Sequence, residues 1–319
     1  MKHIFLFLFW EARSHKPRAN EIHLGLHSFW CAQRTLLILF FIFLPLAFAQ
    51  DVLVAAAGDI SCPPGMEVTS ESCQMMATSD LILNADVDGV LILGDIQYPD
   101  GKLSDFQASF DLSWGRLKDK SYPAIGNHEY GDTGFGYFGY FGAVAGEFGK
   151  GYYSFDLGTW YVISLNSNCW AIGGCGETSP QGQWLKGDLE SHPTKCTLAF
   201  WHHPRFDSGK YGSNTEVTPF WDLLTEAGAE IVLNSHDHLY ERFVPQLGDG
   251  MASENGIRQF TVGTGGRNLY RLESESPNQE FANDRNFGVL FLTLRESSYT
   301  WEFKTISGEI LDAGEGTCK

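Results

Sequence analysis

The chain has 319 residues, which suffices for two domains or one large α/β domain, and its 43 % hydrophobic residues can bury a substantial core. Its formal net charge is −17 at pH 7. Phosphate contacts with a nucleic-acid polymer need clustered lysine and arginine, so this acidic balance argues against such a polymer as the main partner. A small phosphorylated substrate is compatible with the charge if its binding site is itself positive.

The first 49 residues differ from all that follow, with five basic and only two acidic side chains. Within them the apolar run 36–49 follows Arg34 and ends in Ala47-Phe48-Ala49, with small residues at the −3 and −1 positions. This pattern predicts a secretory signal that is cleaved after Ala49, and the run is shorter than the roughly 20 residues that cross a bilayer. A signal anchor or a misassigned upstream start stays open. We expect a secreted or extracytoplasmic protein, without stable membrane insertion once the signal is removed.

Apolar runs of strand length alternate with amphipathic segments after residue 50, a pattern that favours an α/β fold. The predicted strand regions are 52–59, 89–95, 122–129, 160–167, 196–204 and 229–238, and the predicted helices are 72–84, 103–118, 181–191 and 219–227. The Gly- and aromatic-rich segment 131–151 is interpreted as a long loop, and the last third as antiparallel strands. Because no repeat, charge run or Pro-rich linker divides residues 50–319, we expect a single domain, with 17 basic and 37 acidic side chains and a net charge of −20.

Six cysteines follow the leader, an even number that is typical of disulfides in an exported chain. They are Cys62, Cys73, Cys169, Cys175, Cys196 and Cys318. The close pairs 62/73 and 169/175 are the expected bridges, which leaves 196 with 318, but this is one of 15 possible connectivities. No Cys-x-x-Cys motif occurs, so we do not expect a thiolate metal site.

Polar residues that suit metal binding or acid–base chemistry end five of the six apolar runs, and ligands collect at the carboxyl ends of strands in open α/β sheets. These residues are Asp59; Asp95; Asn127 with His128; His202 with His203; and His236 with His238. The sixth run ends in the polar segment 164–168, which could form a rim. Five of the six histidines after the leader belong to these motifs.

Each motif by itself has an ordinary interpretation. A Gly-Asp pair is often a turn or a helix N-cap, Gly-Asn-His can be a turn, and two histidines before Pro204 can be a half-buried pair. Alternation on an extended segment, however, points His236 and His238 to the same side. Taken together and in chain order, the motifs predict a site for two metal ions.

At these positions the chain resembles the calcineurin-like metallophosphoesterases, and within them the purple acid phosphatase branch in its short single-domain form. The motifs are GD59, GD95-I-Q-Y98, GN127-H128-E129, W201-H202 and H236-D237-H238, followed by Y240-E241-R242. The resemblance spans roughly residues 52–267. Its most specific element is Gly-Asp-x-x-Tyr, because the wider superfamily has Asp-x-His where this chain has Asp59-Ile60-Ser61. The fold it implies is a four-layer αββα sandwich of mixed sheets, with the metal site at the carboxyl ends of strands.

The resemblance also implies a ligand set and two cofactor ions. An Fe(III) site would take Asp59, Asp95, Tyr98 and His238, and a site for a divalent ion (Zn, Mn or Fe(II)) would take the bridging Asp95 with Asn127, His202 and His236. A phenol binds only as phenolate, so a hard trivalent ion is the natural partner of Tyr98. A +3/+2 pair with three anionic ligands stays positive, which accounts for phosphate binding by an acidic chain.

Three further residues are catalytic candidates by the same resemblance. His128 would act at the leaving oxygen as general acid or charge stabiliser, and His203 is a second candidate for which packing is an equal alternative. Glu129 would orient His128, with a solvated carboxylate as the alternative. Glu241 and Arg242 are expected to form an ion pair behind the His-x-His loop. Ser235 replaces a family glycine, and a positive φ at this position would strain the loop.

The leading functional hypothesis is therefore a secreted binuclear phosphatase that hydrolyses small phosphomonoesters by attack of metal-activated water or hydroxide. A phosphodiesterase acting on cyclic nucleotides or nucleotide esters is the alternative with the same metal site. A non-catalytic metal-binding recognition protein is less favoured, because a degenerate copy would be expected to lose ligands. The oligomeric state is not defined by the sequence.

Overall fold

The computed structural model describes residues 50–193 and 196–319. The predicted leader, with its signal and cleavage site, lies outside the described residues. Within them, no helix combines the length and the apolar character that crossing a membrane requires.

Two mixed β-sheets form the centre of the fold. Their strands are β1 (Val52–Ala57), β2 (Gly89–Ile92), β3 (Ser121–Pro123), β4 (Tyr153–Leu157), β5 (Trp160–Ser164), β6 (Thr197–Phe200), β7 (Ile231–Asn234), β8 (Tyr240–Phe243), β9 (Arg258–Val262), β10 (Gln279–Asn283), β11 (Gly288–Leu294), β12 (Ser298–Thr305) and β13 (Ile310–Thr317). The first sheet has the order β13-β12-β11-β1-β2-β3, and the second has the order β10-β8-β9-β7-β6-β5-β4. β1, β2 and β3 are parallel in the first sheet, and β5, β6, β7 and β9 are parallel in the second.

Helices cover the outer faces of both sheets. They are α1 (Met75–Ala85), α2 (Leu103–Ala108), α3 (Phe135–Phe141), α4 (Pro180–Ser191) and α5 (Thr218–Glu226). α1 and α2 contribute Ile82 and Phe106 to the core of the first sheet, and α4 and α5 pack on the second. This arrangement confirms the predicted four-layer αββα sandwich.

Alternate residues of the buried strands in the second sheet face two different cores, one between the sheets and one under the helices. In β6, Leu198 and Phe200 face the core between the sheets, whereas Ala199 contacts the core under α4 and α5. In β7, Leu233 faces the inner core and Val232 the outer one. A strand that is buried on both faces is apolar throughout, which is why these runs show no polar alternation in the sequence.

The predicted helix 103–118 is wrong beyond residue 108. α2 ends at Ala108, and two 3-10 segments, Phe110–Leu112 and Trp114–Lys120, follow it. The amide of Phe110 donates to the side-chain oxygen of Gln97, so it is not available to an α-helical carbonyl. A partner from a distant loop therefore overrides the local helical pattern.

The segment 131–151 also differs from its interpretation as a loop, because it contains α3. The four aromatic side chains of this helix from Tyr137 to Phe141 are buried in the core. Gly136 lies where a Cβ would come 1.9 Å from the carbonyl oxygen of Gly101. The glycine here permits close packing of a helix, and its frequency misled the sequence interpretation. β3 is also shorter than expected, ending at Pro123.

The predicted disulfides are confirmed. Cys62–Cys73 and Cys169–Cys175 close short loops, and Cys196–Cys318 joins the residue before β6 to the residue after β13. The third bridge therefore links the two sheets.

The antiparallel pairing expected for the last third is confirmed for β10, β11, β12 and β13, whereas β9 pairs in parallel with β7 and antiparallel with β8.

Candidate metal centre

The predicted ligands lie at one common edge of the two sheets. Asp59 and Asp95 follow the parallel neighbours β1 and β2, and Asn127 follows β3. His202 follows β6, and His236 follows its parallel neighbour β7. Because neighbouring parallel strands end at the same edge, residues far apart in the chain meet there.

Close approach between these loops depends on two glycines. A Cβ at Gly94 would lie 2.7 Å from Nδ1 of His202, and one at Gly126 would lie 2.1 Å from the amide nitrogen of Asp95. Gly94 also has a φ of +89°, which disfavours any side chain there. These glycines let the loops after β2, β3 and β6 pack against one another.

Three of the seven predicted ligands have left-handed backbone. The φ angles are 57° at Asp59, 46° at Asp95 and 73° at His236. This conformation is uncommon for residues other than glycine and is concentrated at functional sites. The amide of His236 donates to Oδ2 of Asp59 at 2.8 Å, and the amide of His128 donates to Oδ1 of Asp95 at 2.9 Å. These bonds hold the turns in place.

The first group of side chains surrounds the Tyr98 hydroxyl. This oxygen lies 2.8 Å from Oδ1 of Asp59, 3.2 Å from Oδ2 of Asp95 and 3.0 Å from Nε2 of His238. Nε2 of His238 is also 3.1 Å from Oδ1 of Asp59. These four residues match the set expected for the trivalent ion.

The second group surrounds Nε2 of His202. This nitrogen lies 3.3 Å from Oδ2 of Asp95, 3.1 Å from Oδ1 of Asn127 and 3.1 Å from Nδ1 of His236. Oδ2 of Asp95 thus faces both groups, as a bridging ligand must. The structure brings all seven predicted ligands together, and their ligation of metal stays a prediction.

The tautomers of two histidines show that the cluster suits cations. Nδ1 of His202 lies 3.0 Å from the carbonyl oxygen of Leu93, and Nδ1 of His238 lies 2.7 Å from that of Asn268. A carbonyl oxygen only accepts, so both Nδ1 atoms carry hydrogen and both Nε2 atoms are directed at the cluster. There they meet carboxylate and amide oxygens, so nitrogen and oxygen donor atoms that suit a cation face one another.

The charges of the cluster depend strongly on burial. Burial alone would raise the pKa values of Asp59 and Asp95. His238 nevertheless holds the pKa of Asp59 below its usual value, and His202 does the same for Asp95. The reciprocal effect of Asp95 outweighs burial and raises the pKa of His202 to about 9. Burial, followed by the Asp59 and Asp95 charges, raises the pKa of Tyr98 well above its usual value. Burial and His202 lower the pKa of His236 to about 4.

His128 borders the open side of the cluster. Its Nε2 lies 3.8 Å from Oδ2 of Asp95, and its side chain is 37 % exposed. Its Nδ1 lies 2.5 Å from the carbonyl oxygen of Pro99 and therefore donates to it. Any proton that His128 exchanges with a bound molecule must consequently be on Nε2.

Glu129 lies too deep to orient His128 as expected. Its buried carboxylate accepts hydrogen bonds from the amides of Ile96, Gln97 and Gly126, at 2.8, 3.1 and 2.9 Å. Burial, followed by the charge of Asp95, raises the pKa of Glu129 to about 7. The carboxylate thus joins the loops after β2 and β3, and Pro99 is the residue that orients the His128 ring.

His203 lies beside the second group and is held by Ser167. Its Nδ1 is 2.8 Å from the Ser167 hydroxyl, and its ring centroid is 4.4 Å from that of His236. Burial, followed by His202 and His236, lowers the pKa of His203 well below its usual value. His203, His202 and His236 also form a possible metal-binding group. Ser167 belongs to the predicted polar rim, which is in fact largely buried.

Two expectations about the His-x-His loop are wrong. The positive φ falls on His236 and not on Ser235, whose hydroxyl instead lies 2.5 Å from the Leu93 carbonyl and 3.0 Å from Nδ1 of His202. Glu241 and Arg242 do not pair, because successive residues of β8 point to opposite faces. Arg242 binds the carboxylate of Asp312, and Glu241 accepts from Ser208.

Sequence reasoning missed the aromatic side chains that cover two of the three histidines predicted to be ligands. The Tyr211 ring is stacked on His236 with centroids 4.4 Å apart, and the Tyr270 ring is stacked on His238 at 4.0 Å. Neither tyrosine belongs to an apolar run or to a motif, so no periodic signal marked them.

The two-sheet sandwich and this cluster of carboxylates and histidines define a metallophosphoesterase. The family model for calcineurin-like phosphoesterases matches residues 53–240. The chain belongs to this family, which confirms the resemblance seen in the motifs.

Comparison with curated proteins indicates the branch. The chain is 27 % identical to purple acid phosphatase 21 of Arabidopsis thaliana over 177 residues, 50 % of this chain and 39 % of that protein. It is 26 % identical to purple acid phosphatase 18 of the same plant over 162 residues, 47 % of this chain and 36 % of that protein. The chain thus matches well under half the length of these relatives.

Solved structures share the fold at low identity. The yellow lupin purple acid phosphatase PPD1 superposes with a TM-score of 0.69 at 19 % identity, covering 84 % of this chain and 54 % of that one. GAP50, described as the anchor in the inner membrane complex of Plasmodium, superposes with a TM-score of 0.62 at 14 % identity, covering 84 % and 89 %.

Cation loading of the metal-free protein should release protons at pH 7. The pH is below the raised pKa values of His202 and Tyr98, so both groups carry protons that a bound cation must displace. Calorimetric titration in buffers of different ionisation enthalpy should therefore count one proton fewer for Tyr98→Phe than for the parent protein. Equal counts for the two proteins would remove Tyr98 from the ligand set.

Proposed function

We propose that this chain is an exported phosphatase that hydrolyses small phosphomonoesters at a site holding Fe(III) and a divalent ion (Zn, Mn or Fe(II)). The convergence of seven predicted ligand residues around the Tyr98 hydroxyl and Nε2 of His202 is the observation that carries the proposal. Membership of the phosphoesterase family and the similarity to purple acid phosphatases support it. We further propose that residues 50–319 act as one domain.

The seven predicted ligands would hold the cations. Asp59, Tyr98 and His238 would hold one cation, and Asn127, His202 and His236 the other, with Asp95 between them. When bound, the two cations would supply positive charge for the phosphate, orient the ester and lower the pKa of a water molecule. The carbonyls of Leu93 and Asn268 keep the imidazole lone pairs directed at the centre.

The partly exposed residues would act on the substrate. His128 presents Nε2 on the open side of the cluster, where its imidazolium form can donate a proton to the leaving oxygen. His203, with its lowered pKa, is neutral at pH 7, and Ser167 fixes its orientation. We propose that His203 forms a hydrogen bond with the substrate and that His128 is the general acid. Glu129 would stabilise the loop that carries His128.

Location is part of the proposal. Three disulfides are compatible with an oxidising compartment, as the apolar run 36–49 also predicts. The substrate would then be a small phosphorylated molecule outside the cytoplasm.

The proposal is tested by comparing p-nitrophenyl phosphate with its bis ester, using full-length protein made through a secretory route and analysed for metal. We expect two cations per chain and a higher kcat/KM for the monoester. A preference for the bis ester would favour the phosphodiesterase alternative. Two bound cations without hydrolysis of either compound would favour the non-catalytic one.

Iron at Tyr98 should give the protein colour. A phenolate bound to Fe(III) absorbs visible light through charge transfer, so the parent protein should show a visible band that is absent from Tyr98→Phe. Absorption spectra of both proteins, matched for iron content, measure this. A band that survives in Tyr98→Phe would assign the colour to another ligand.

Loss of the bridging carboxylate should abolish turnover without unfolding the protein. Asp95→Asn keeps the oxygen that accepts from the His128 amide but removes the negative charge, and His202→Ala removes a ligand of the second group. Phosphate release should fall to background in both, while circular dichroism stays that of the parent. Asp51→Asn, an exposed carboxylate paired with Arg295, is the matched control. Near-normal rates in Asp95→Asn would refute the assignment.

His128→Ala should keep both metals and slow hydrolysis by about 10²-fold or more, the scale of general acid catalysis. The defect should shrink for esters with acidic leaving groups, because these need little protonation. Metal analysis and kcat for a series of aryl phosphates measure both effects. His192→Ala, which alters the histidine stacked on Tyr161, is the control. A defect that is equal across the series would contradict the acid role.

A further inference from the structure

A lysine and two tyrosines form a wall beside the metal centre, which we define as Lys210, Tyr211 and Tyr270. Lys210 Nζ lies 5.1 Å from the ring centroid of Tyr211 and 4.7 Å from that of Tyr270. The same two rings are stacked on the ligand histidines His236 and His238. One aromatic ring therefore separates the ammonium group from each imidazole.

The backbone of this wall is fastened to the His-x-His segment. Both oxygens of the buried Asp237 carboxylate accept amide hydrogen bonds, from Lys210 and Tyr211, each at 2.9 Å. The amide of Tyr270 donates to the carbonyl oxygen of His238 at 3.0 Å. The wall is thus positioned by the same segment that positions two ligands, which gives it a defined place relative to the centre.

Lys210 is the part of the wall that is available to contact a substrate. The His236 ring occupies one face of Tyr211, so an ammonium group above the ring centre must lie over the other face. This leaves little free aromatic surface for stacking of a substrate ring. In the part of the chain that the structure describes, the lysines that form ion pairs with carboxylates are Lys102, Lys120, Lys150 and Lys186, and Lys210 is not among them.

The open side of the cluster is bounded by the partly exposed His128, His203 and His236, and the exposed Lys210 and Tyr211 continue this border beyond His236. A substrate whose reacting phosphate is at the centre would extend its remaining atoms over this border. The chain has a net charge of −17 and therefore repels anions in general. The ammonium group of Lys210 offsets this repulsion for an anionic group of the substrate.

We propose that Lys210 is a specificity-determining residue that binds a second anionic group of the substrate, a phosphate or a carboxylate. The preferred substrates are then small monoesters that carry such a group on the leaving-group side. This inference rests on the proposed function for the position of the reacting phosphate. Tyr211, Tyr270 and Asp237 are positioning residues for the lysine.

The test uses phosphonates, which are not hydrolysed and so report binding apart from catalysis. Metal-loaded protein is titrated calorimetrically with propylphosphonate, 4-phosphonobutanoate and propane-1,3-diphosphonate. These share a three-carbon skeleton and differ in the second group, which is absent, a carboxylate or a phosphonate. We expect the two compounds with a second anion to bind about tenfold more tightly than propylphosphonate, as for one charge-assisted contact.

Lys210→Gln should abolish this advantage, and Lys210→Arg should retain most of it. The exposed Lys186→Gln, which removes a lysine paired with Glu177, should leave it unchanged. Added salt should weaken the advantage in the parent protein, because screening acts on exposed charges. The two second groups distinguish a carboxylate site from a phosphate site.

An advantage of the same size in Lys210→Gln would overturn the proposal, since the second anion would then bind the cations themselves. Equal affinity for all three compounds in the parent protein would overturn it as well. Failure of the proposed function is a separate result, the absence of phosphate release from p-nitrophenyl phosphate.

Discussion

Two buried carboxylates that no lysine or arginine of the described residues neutralises impose the main constraint on this structure. Asp59 and Asp95 are 0 % and 2 % exposed, and their ion-pair partners among the described residues are histidines. Burying such charges is costly unless they are paired or coordinate a metal. The loops after β1, β2, β3, β6 and β7 converge on these carboxylates, so the two sheets must meet with their strand ends at one edge. Much of the local backbone geometry follows from that requirement.

The same requirement explains which parts could be predicted. Strands that are buried on both faces leave long apolar runs, and their polar ends stand out at Asp59, Asp95, His202 and His236. The sandwich and the convergence of the seven predicted ligand residues therefore follow from motif and resemblance. The cysteines were paired correctly because two of the bridges close short loops.

Features that depend on distant partners could not be predicted. The predicted helix 103–118 ends early, at Ala108, because the amide of Phe110 donates to Gln97, a contact that no local window contains. Glu129 turns inward to three amides although its sequence places it beside His128. The salt bridge of Arg242 reaches Asp312 on β13, in the other sheet. Lys210 and Tyr211 lie between glycines in a loop with no periodicity, so only the fold shows their place at the centre.

The left-handed turns at Asp59, Asp95 and His236 restrict what evolution or an engineer can place there. A replacement must tolerate positive φ, which among side chains that offer a ligand atom favours Asp, Asn and His. It must also supply an oxygen or nitrogen at the correct reach, which removes glycine. Retuning the proposed metal centre for a different ion would consequently be easier at Tyr98, Asn127, His202 or His238, where the backbone sets no such condition.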